Sequence, residues 1–208
     1  MNMSIKNVVL DFGHGGLDAN GRYTTYPSKM AFMSGGRVAY EGVLNRQIGG
    51  LVEHLLKSHH PELNVKTTVA ADDPRDISLR YRVRVANQYN PRETVFISIH
   101  SNAFNGLARG FELYTTRGRT NADYLAESIA RRVETLYRKI NLKLRYDFRD
   151  GDRDKEVDFY VLRKTRCPAV LLECLFFDNE KDFDHLNDPE FQTKLALAIY
   201  KGILDYIK

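Results

Sequence analysis

Four side chains in four separated blocks have the types and settings that metal-assisted hydrolysis needs: His14 in VVLDFGHGG, Glu41 in VAYEGVLNRQ, His100 in VFISIHSNA and Glu173 in PAVLLECLF. Two histidines and one glutamate make a three-ligand zinc set that leaves a position open for water. A further glutamate beside them can act as a base. His14 follows the apolar run Val8–Leu10 and precedes Gly15 and Gly16, which let the backbone turn sharply. His100 closes the run Val95–Ile99, with Ser101 and Asn102 following at once. Glu173 interrupts the apolar run Ala169–Phe177, where an unpaired carboxylate is expensive; a paired, protonated or metal-adjacent state is expected.

Each of these residues also has a plainer reading. His14 could be a turn histidine bonded to nearby backbone. Glu41 opens a helix, where the helix dipole alone favours an acid. Glu173 could pair with Arg80 or Arg163. Asp11 and Asp18 flank His14 and could orient its ring, although Asp18 is equally suited to cap the following turn. His54, His59, His60 and His185 read as surface residues.

The elements that must position these groups follow from periodicity. Apolar, β-branched runs at 5–11, 64–69, 94–100, 109–114, 158–163 and 169–175 read as strands. Helical spacing places Leu44, Ile48, Leu51, Val52 and Leu55 on one face of 41–57. It recurs over 121–138 after Thr120, with Asp123 as a capping-box partner. The last helix opens on Asp188 and Pro189 and buries Phe191, Leu195, Ile199, Ile203 and Tyr206. Residues 79–85 alternate apolar and arginine, as a strand would, yet Ser78 or Asp76 offers an N-cap and Leu79, Val83 and Ala86 share a helical face; the helix is the reading adopted. Strands alternating with helices imply an α/β fold, a twisted and mainly parallel sheet covered on both faces. Ligands collect at the carboxyl edge of such sheets. Two stretches read as loops: 17–40, and 143–158, which is too charged to be buried.

With 208 residues, 43% hydrophobic and 28% charged, the chain suits one domain spanning 1–208 with a substantial core, expected to be a monomer. A net charge of +4 permits attraction to polyanions, but Lys and Arg are dispersed among nearly as many Asp and Glu with no basic block and no nucleic-acid motif, so nucleic acid is not expected as a partner. Cys167 and Cys174 lie across one predicted strand, about 20 Å apart at roughly 3.3 Å per residue. A disulfide needs under about 7 Å, so both read as free thiols. No segment approaches membrane-spanning length, so stable membrane insertion is not expected, and no secretory leader pattern opens the chain.

The ordered blocks LDFGHGGLD, a helix-opening Glu, SLRYRVRVAN, FISIHSNA, GFELY and PAVLLECLFFDNEKD resemble the zinc-dependent N-acetylmuramoyl-L-alanine amidases of bacterial and phage origin, over about 7–207. The resemblance implies a phosphorylase/hydrolase-like α/β fold. It implies one zinc per chain, held by His14, Glu41 and His100, and Glu173 as the catalytic glutamate. The substrate would be peptidoglycan, cut between N-acetylmuramic acid and L-alanine of the stem peptide. The chain would then act on the cell wall, in the periplasm or outside the cell, and could be a phage lysin made in the host cytoplasm. The alternatives are a zinc peptidase of similar fold and a non-catalytic wall-binding domain. Two departures stand out: Phe12 replaces a usual proline, and the interval from His14 to Glu41 is longer than is common, which leaves Glu53 as an outside alternative to Glu41. The long loop 17–40 is tied to His14 at one end and Glu41 at the other. It should border the active site, with Tyr23, Tyr26 and Arg37 as candidates for substrate contact.

Overall fold

Six strands pair in the order β4-β1-β5-β8-β6-β7: β1 (Asn7–Phe12), β4 (Asn64–Thr67), β5 (Thr94–Asn102), β6 (Glu112–Thr115), β7 (Lys155–Glu156) and β8 (Ala169–Phe176). All neighbours run parallel except β6 against β8, giving the mainly parallel α/β sheet expected from the sequence. The computed structural model describes residues 5–149 and 151–208; the first four residues, part of the stretch read for a leader, and residue 150 of the charged stretch lie outside it.

One face of the sheet is covered by three long helices, α1 (Glu41–His59), α3 (Asn121–Lys139) and α6 (Pro189–Ile207), with α5 (Glu180–Leu186) packed beside them. The expected apolar stripes lie inside: Leu44, Ile48 and Val52 from α1, Leu125, Ile129 and Val133 from α3, and Leu195, Ile199 and Ile203 from α6. They join Val8, Leu10, Ile97, Ile99, Val170 and Leu172 from the strands. The caps are as expected: Thr120 and Asp123 form a capping box on α3, and the Asp188 side chain accepts from Glu190 N at the start of α6. Among the described residues the other face carries two short helices, α2 (Leu79–Ala86) and α4 (Tyr160–Lys164), whose Val83, Ala86, Val161 and Leu162 pack on Val9, Phe96 and Leu171. Helix α2 is capped by Ser78, whose side chain accepts from Tyr81 N.

Three expectations need correction or refinement. Residues 158–163, read as a strand, form α4 instead. Both edges of β8 are already taken by β5 and β6, so no partner remains beside it, and so short an apolar run does not distinguish strand from helix. The stretch 143–158 is not wholly exposed: Asp154 is 2% exposed, and Lys155 and Glu156 add β7 to the sheet edge. Loop 17–40 is partly ordered by an antiparallel hairpin, β2 (Met30–Phe32) with β3 (Val38–Tyr40). Cys167 and Cys174 are free, as expected, and both are buried. Among the described residues no helix is long and apolar enough to cross a membrane.

Candidate metal centre

His14 sits one turn beyond β1, with φ of 63°, a left-handed backbone that a non-glycine residue adopts only when its surroundings hold it there. Buried Arg46 supplies the hold: its Nη1 donates to His14 O at 2.7 Å and to Gly42 O at 3.1 Å, tying the turn to α1. Asn45 Nδ2 donates to Gly13 O at 3.2 Å from the same helix. Two glycines are required by close approach. A Cβ on Gly13 would stand 2.2 Å from the His100 ring, and one on Gly42 would stand 1.8 Å from Gly15 O. These contacts let the His14 turn, the first residue of α1 and the end of β5 converge.

They converge on one point. Glu41 Oε1 lies 3.2 Å from His14 Nε2 and 3.0 Å from His100 Nδ1, and the three donor atoms all fall within 4.8 Å of one another. The imidazole rings meet edge to face, centroids 5.0 Å apart. Glu41 is 1% exposed, yet its Oε2 accepts no hydrogen bond, the Lys29 ammonium standing 3.4 Å away. Burial alone would push the Glu41 carboxyl up, but the hydrogen bonds from His100 and His14 outweigh it and hold the group below the ordinary range. Burial pushes the His100 imidazole down, against the pull of Glu41, which favours the neutral ring that a metal needs. A buried, under-satisfied carboxylate facing two ring nitrogens has the donor types that a transition-metal ion takes, so these three residues could hold one.

Glu173 lies directly opposite His100 in the pairing of β5 with β8. Its Oε2 is buried without a hydrogen-bond partner, and burial first, then the charge of Glu41, raises its carboxyl well above the ordinary value. The suggested arginine partners are elsewhere: Arg163 meets Asp158 at 2.7 Å, and Arg80 points to solvent. Glu53, the alternative to Glu41, pairs with Lys57 on the surface of α1. Asp11 takes its hydrogen bonds from residues other than His14. It accepts from Arg82 Nη1 at 2.7 Å, Ser98 Oγ at 2.6 Å and Thr68 Oγ1 at 2.5 Å. Asp18 caps its own turn by accepting from Asn20 N and Arg22 N.

A cleft of about 550 Å³ opens over His14, His100 and Glu173, walled by Thr25, Tyr26, Lys29, Ile77, Leu79 and Phe159. Loop 17–40 thus borders the site through Tyr26, which is 79% exposed. Tyr23 and Arg37 have other tasks. The Tyr23 hydroxyl accepts from Gly42 N at the start of α1, while Arg37 bonds Asp184 and Glu180 of α5. Arg82 and Lys29 were not singled out in the sequence. Arg82 was findable, since on a helix it shares the inner side with Val83 and Ala86. Nothing in the pattern marks Lys29.

Fold and cluster together define an α/β protein with a candidate metal centre at the carboxyl edge of its sheet. The chain belongs to the N-acetylmuramoyl-L-alanine amidase family, whose sequence pattern matches residues 8–205. It is similar to the uncharacterized cell wall amidase pXO2-42 of Bacillus anthracis, 32% identical over 207 residues, covering 97% of this chain and 35% of the relative. The chain therefore spans about a third of that protein. It is 28% identical to the endolysin of Bacillus phage SPP1, over 97% of this chain and 66% of the endolysin. Among solved structures, the catalytic domain of CwlV, an N-acetylmuramoyl-L-alanine amidase from Bacillus (Paenibacillus) polymyxa var. colistinus, superposes with a TM-score of 0.75 at 29% identity, covering 97% of this chain and 98% of that one.

Proposed function

We propose that this chain is a catalytic unit that carries one zinc ion and hydrolyses the amide joining N-acetylmuramic acid to L-alanine of the peptidoglycan stem peptide. The observation that carries this reading is the His14–Glu41–His100 cluster with Glu173 in register beside it. His14 Nε2, Glu41 Oε1 and His100 Nδ1 would hold the zinc. A zinc ion bound there supplies Lewis acidity toward a water molecule and toward the scissile carbonyl. Glu173 takes a proton from the attacking water, whose oxygen joins the carbonyl carbon. As the carbon–nitrogen bond breaks, the same carboxyl passes the proton to the departing nitrogen; the second water proton then leaves the new lactyl carboxyl for the amine, giving a lactyl carboxylate and an L-alanine ammonium group. The apolar walls of the cleft, Ile77, Leu79 and Phe159, limit the water around that transfer. The names of the relatives, a cell wall amidase and an endolysin, support action on the wall and a lytic role.

Mass spectrometry of digested peptidoglycan tests the reaction: free stem peptides with L-alanine at the amino end are expected, and cuts at any other bond refute it. Glu173→Gln keeps shape but cannot take up the proton. It should retain zinc and fold while hydrolysis drops at least about a hundredfold. Near-normal turnover would make Glu173 a structural carboxylate.

A further inference from the structure

The row that starts at His100 continues past Glu173. In β6, Glu112 stands opposite Glu173, so His100, Glu173 and Glu112 lie side by side across three strands. Glu112 is 3% exposed and is surrounded by donors. Its Oε1 accepts from Arg145 Nε and from Lys155 Nζ, each at 2.6 Å; its Oε2 accepts from Asn102 Nδ2 at 2.8 Å and from the Tyr114 hydroxyl at 2.6 Å. One negative charge thus faces two positive ones. A single cation would suffice to fasten the charged stretch 143–158 to the sheet, so the second is surplus to that task. The side chains of Arg145 and Lys155 are 41% and 27% exposed, which leaves further N–H groups free to bond a ligand. The Tyr114 ring meets Phe159 at 5.5 Å, and Phe159 walls the cleft. Arg145 and Lys155 do not line the cleft themselves; through Glu112, Tyr114 and Phe159 they stand next to its wall, on the side of Glu173 away from the metal cluster.

We propose that Arg145 and Lys155 form an anion subsite that grips a carboxylate of the stem peptide, a reading that rests on the amidase function above. In peptidoglycan the second stem residue is a D-glutamate linked onward through its side chain, so its α-carboxylate can remain free. That group lies one residue beyond the scissile amide, roughly 4–7 Å at about 3.8 Å per residue. Two strand spacings, roughly 10 Å at about 4.8 Å each, separate His100 from Glu112, so the long side chains of Arg145 and Lys155 must reach back toward the cleft to meet that carboxylate. A guanidinium beside an ammonium suits a carboxylate and not a neutral amide.

Two synthetic substrates isolate the effect: N-acetylmuramoyl-L-alanyl-D-isoglutamate and its D-isoglutamine counterpart, both with the γ-carboxyl blocked as an amide, so that they differ only in α-carboxylate against α-amide. The unaltered protein should show a KM about tenfold lower for the carboxylate form, the size of one charge-assisted hydrogen bond. Arg145→Gln and Lys155→Gln, tested singly so that Glu112 keeps one cation, should each bring that ratio toward one, with KM moving more than kcat. Equal KM values in the unaltered protein, or a preference kept by both variants, would overturn the subsite. Calorimetry with free L-alanyl-D-glutamate, its γ-carboxyl blocked as an amide, gives a readout that needs no turnover: weaker binding in both variants supports the proposal, and unchanged binding refutes it. If neither muropeptide is cut, the amidase reading fails while the dipeptide affinities still decide the subsite.

Discussion

Along each of three neighbouring strands the two faces of the sheet part company toward the carboxyl end. On the side of α1, α3 and α6, β1 stays apolar through Val8, Leu10 and Phe12, β5 through Val95, Ile97 and Ile99, and β8 through Val170, Leu172 and Cys174. On the side of α2 and α4 the same strands change character: Val9 gives way to Asp11, Phe96 to Ser98 and His100, and Leu171 to Glu173. The helices match. Three long ones seal the apolar face from end to end, while two short ones cover only the first half of the other and leave the cleft. The lesson is a division of tasks. Burial on one face carries the stability, so the other can hold groups that weaken a fold, such as the Glu41 and Glu173 Oε2 atoms, which are buried without a hydrogen bond.

That contrast can be broken from either side. The largest effect is expected at the cluster: His14→Ala or His100→Ala should remove most of the bound zinc and nearly all hydrolysis, since two protein ligands hold zinc poorly. Melting should shift far less than metal content, measured on the same sample, and full metal occupancy in both variants would dissolve the site. On the sealed face the order reverses. Leu125→Ala empties a fully buried position and should cost about 2–5 kcal/mol in denaturant unfolding while zinc stoichiometry stays the same. Loss of metal there would mean that the faces are not independent.

A smaller effect sharpens the comparison at the sheet edge. Burial pushes the Asp154 carboxyl from 3.8 up to about 7, against the hydrogen bond from Thr115 and with the help of neighbouring Asp152. Between about pH 4 and pH 7 the native protein keeps a proton that the unfolded chain has released, so stability should fall as pH rises through that window and level off above it. Asp154→Asn should remove that part of the slope, read as melting temperature against pH. A slope unchanged in the variant would place its origin elsewhere.

Much of this was legible because chemistry and periodicity coincide. His14, His100 and Glu173 stand out as polar groups at or in apolar runs, and the stripes of α1, α3 and α6 repeat at helical spacing. Strand register is not written that way. That His100 faces Glu173, and Glu173 faces Glu112, depends on long-range pairing that no local pattern encodes. The same limit explains the error over 158–163: its four apolar residues fit a strand until the neighbouring edges are known to be taken. Arg145, Arg153 and Lys155 marked their stretch as solvated, yet each turns inward onto a glutamate, Glu112 or Glu127.

The two cysteines bear on where such a protein can work. Cys167 and Cys174 are 7% and 0% exposed, and burial pushes the Cys167 thiol up to about 12. Neither presents the thiolate through which oxidants and other thiols react. The fold owes no stability to a covalent cross-link, so it neither gains nor loses one when the surroundings change from reducing to oxidising. A molecule synthesised among reduced glutathione and then brought against a wall outside the membrane would meet a different redox potential with an unchanged structure.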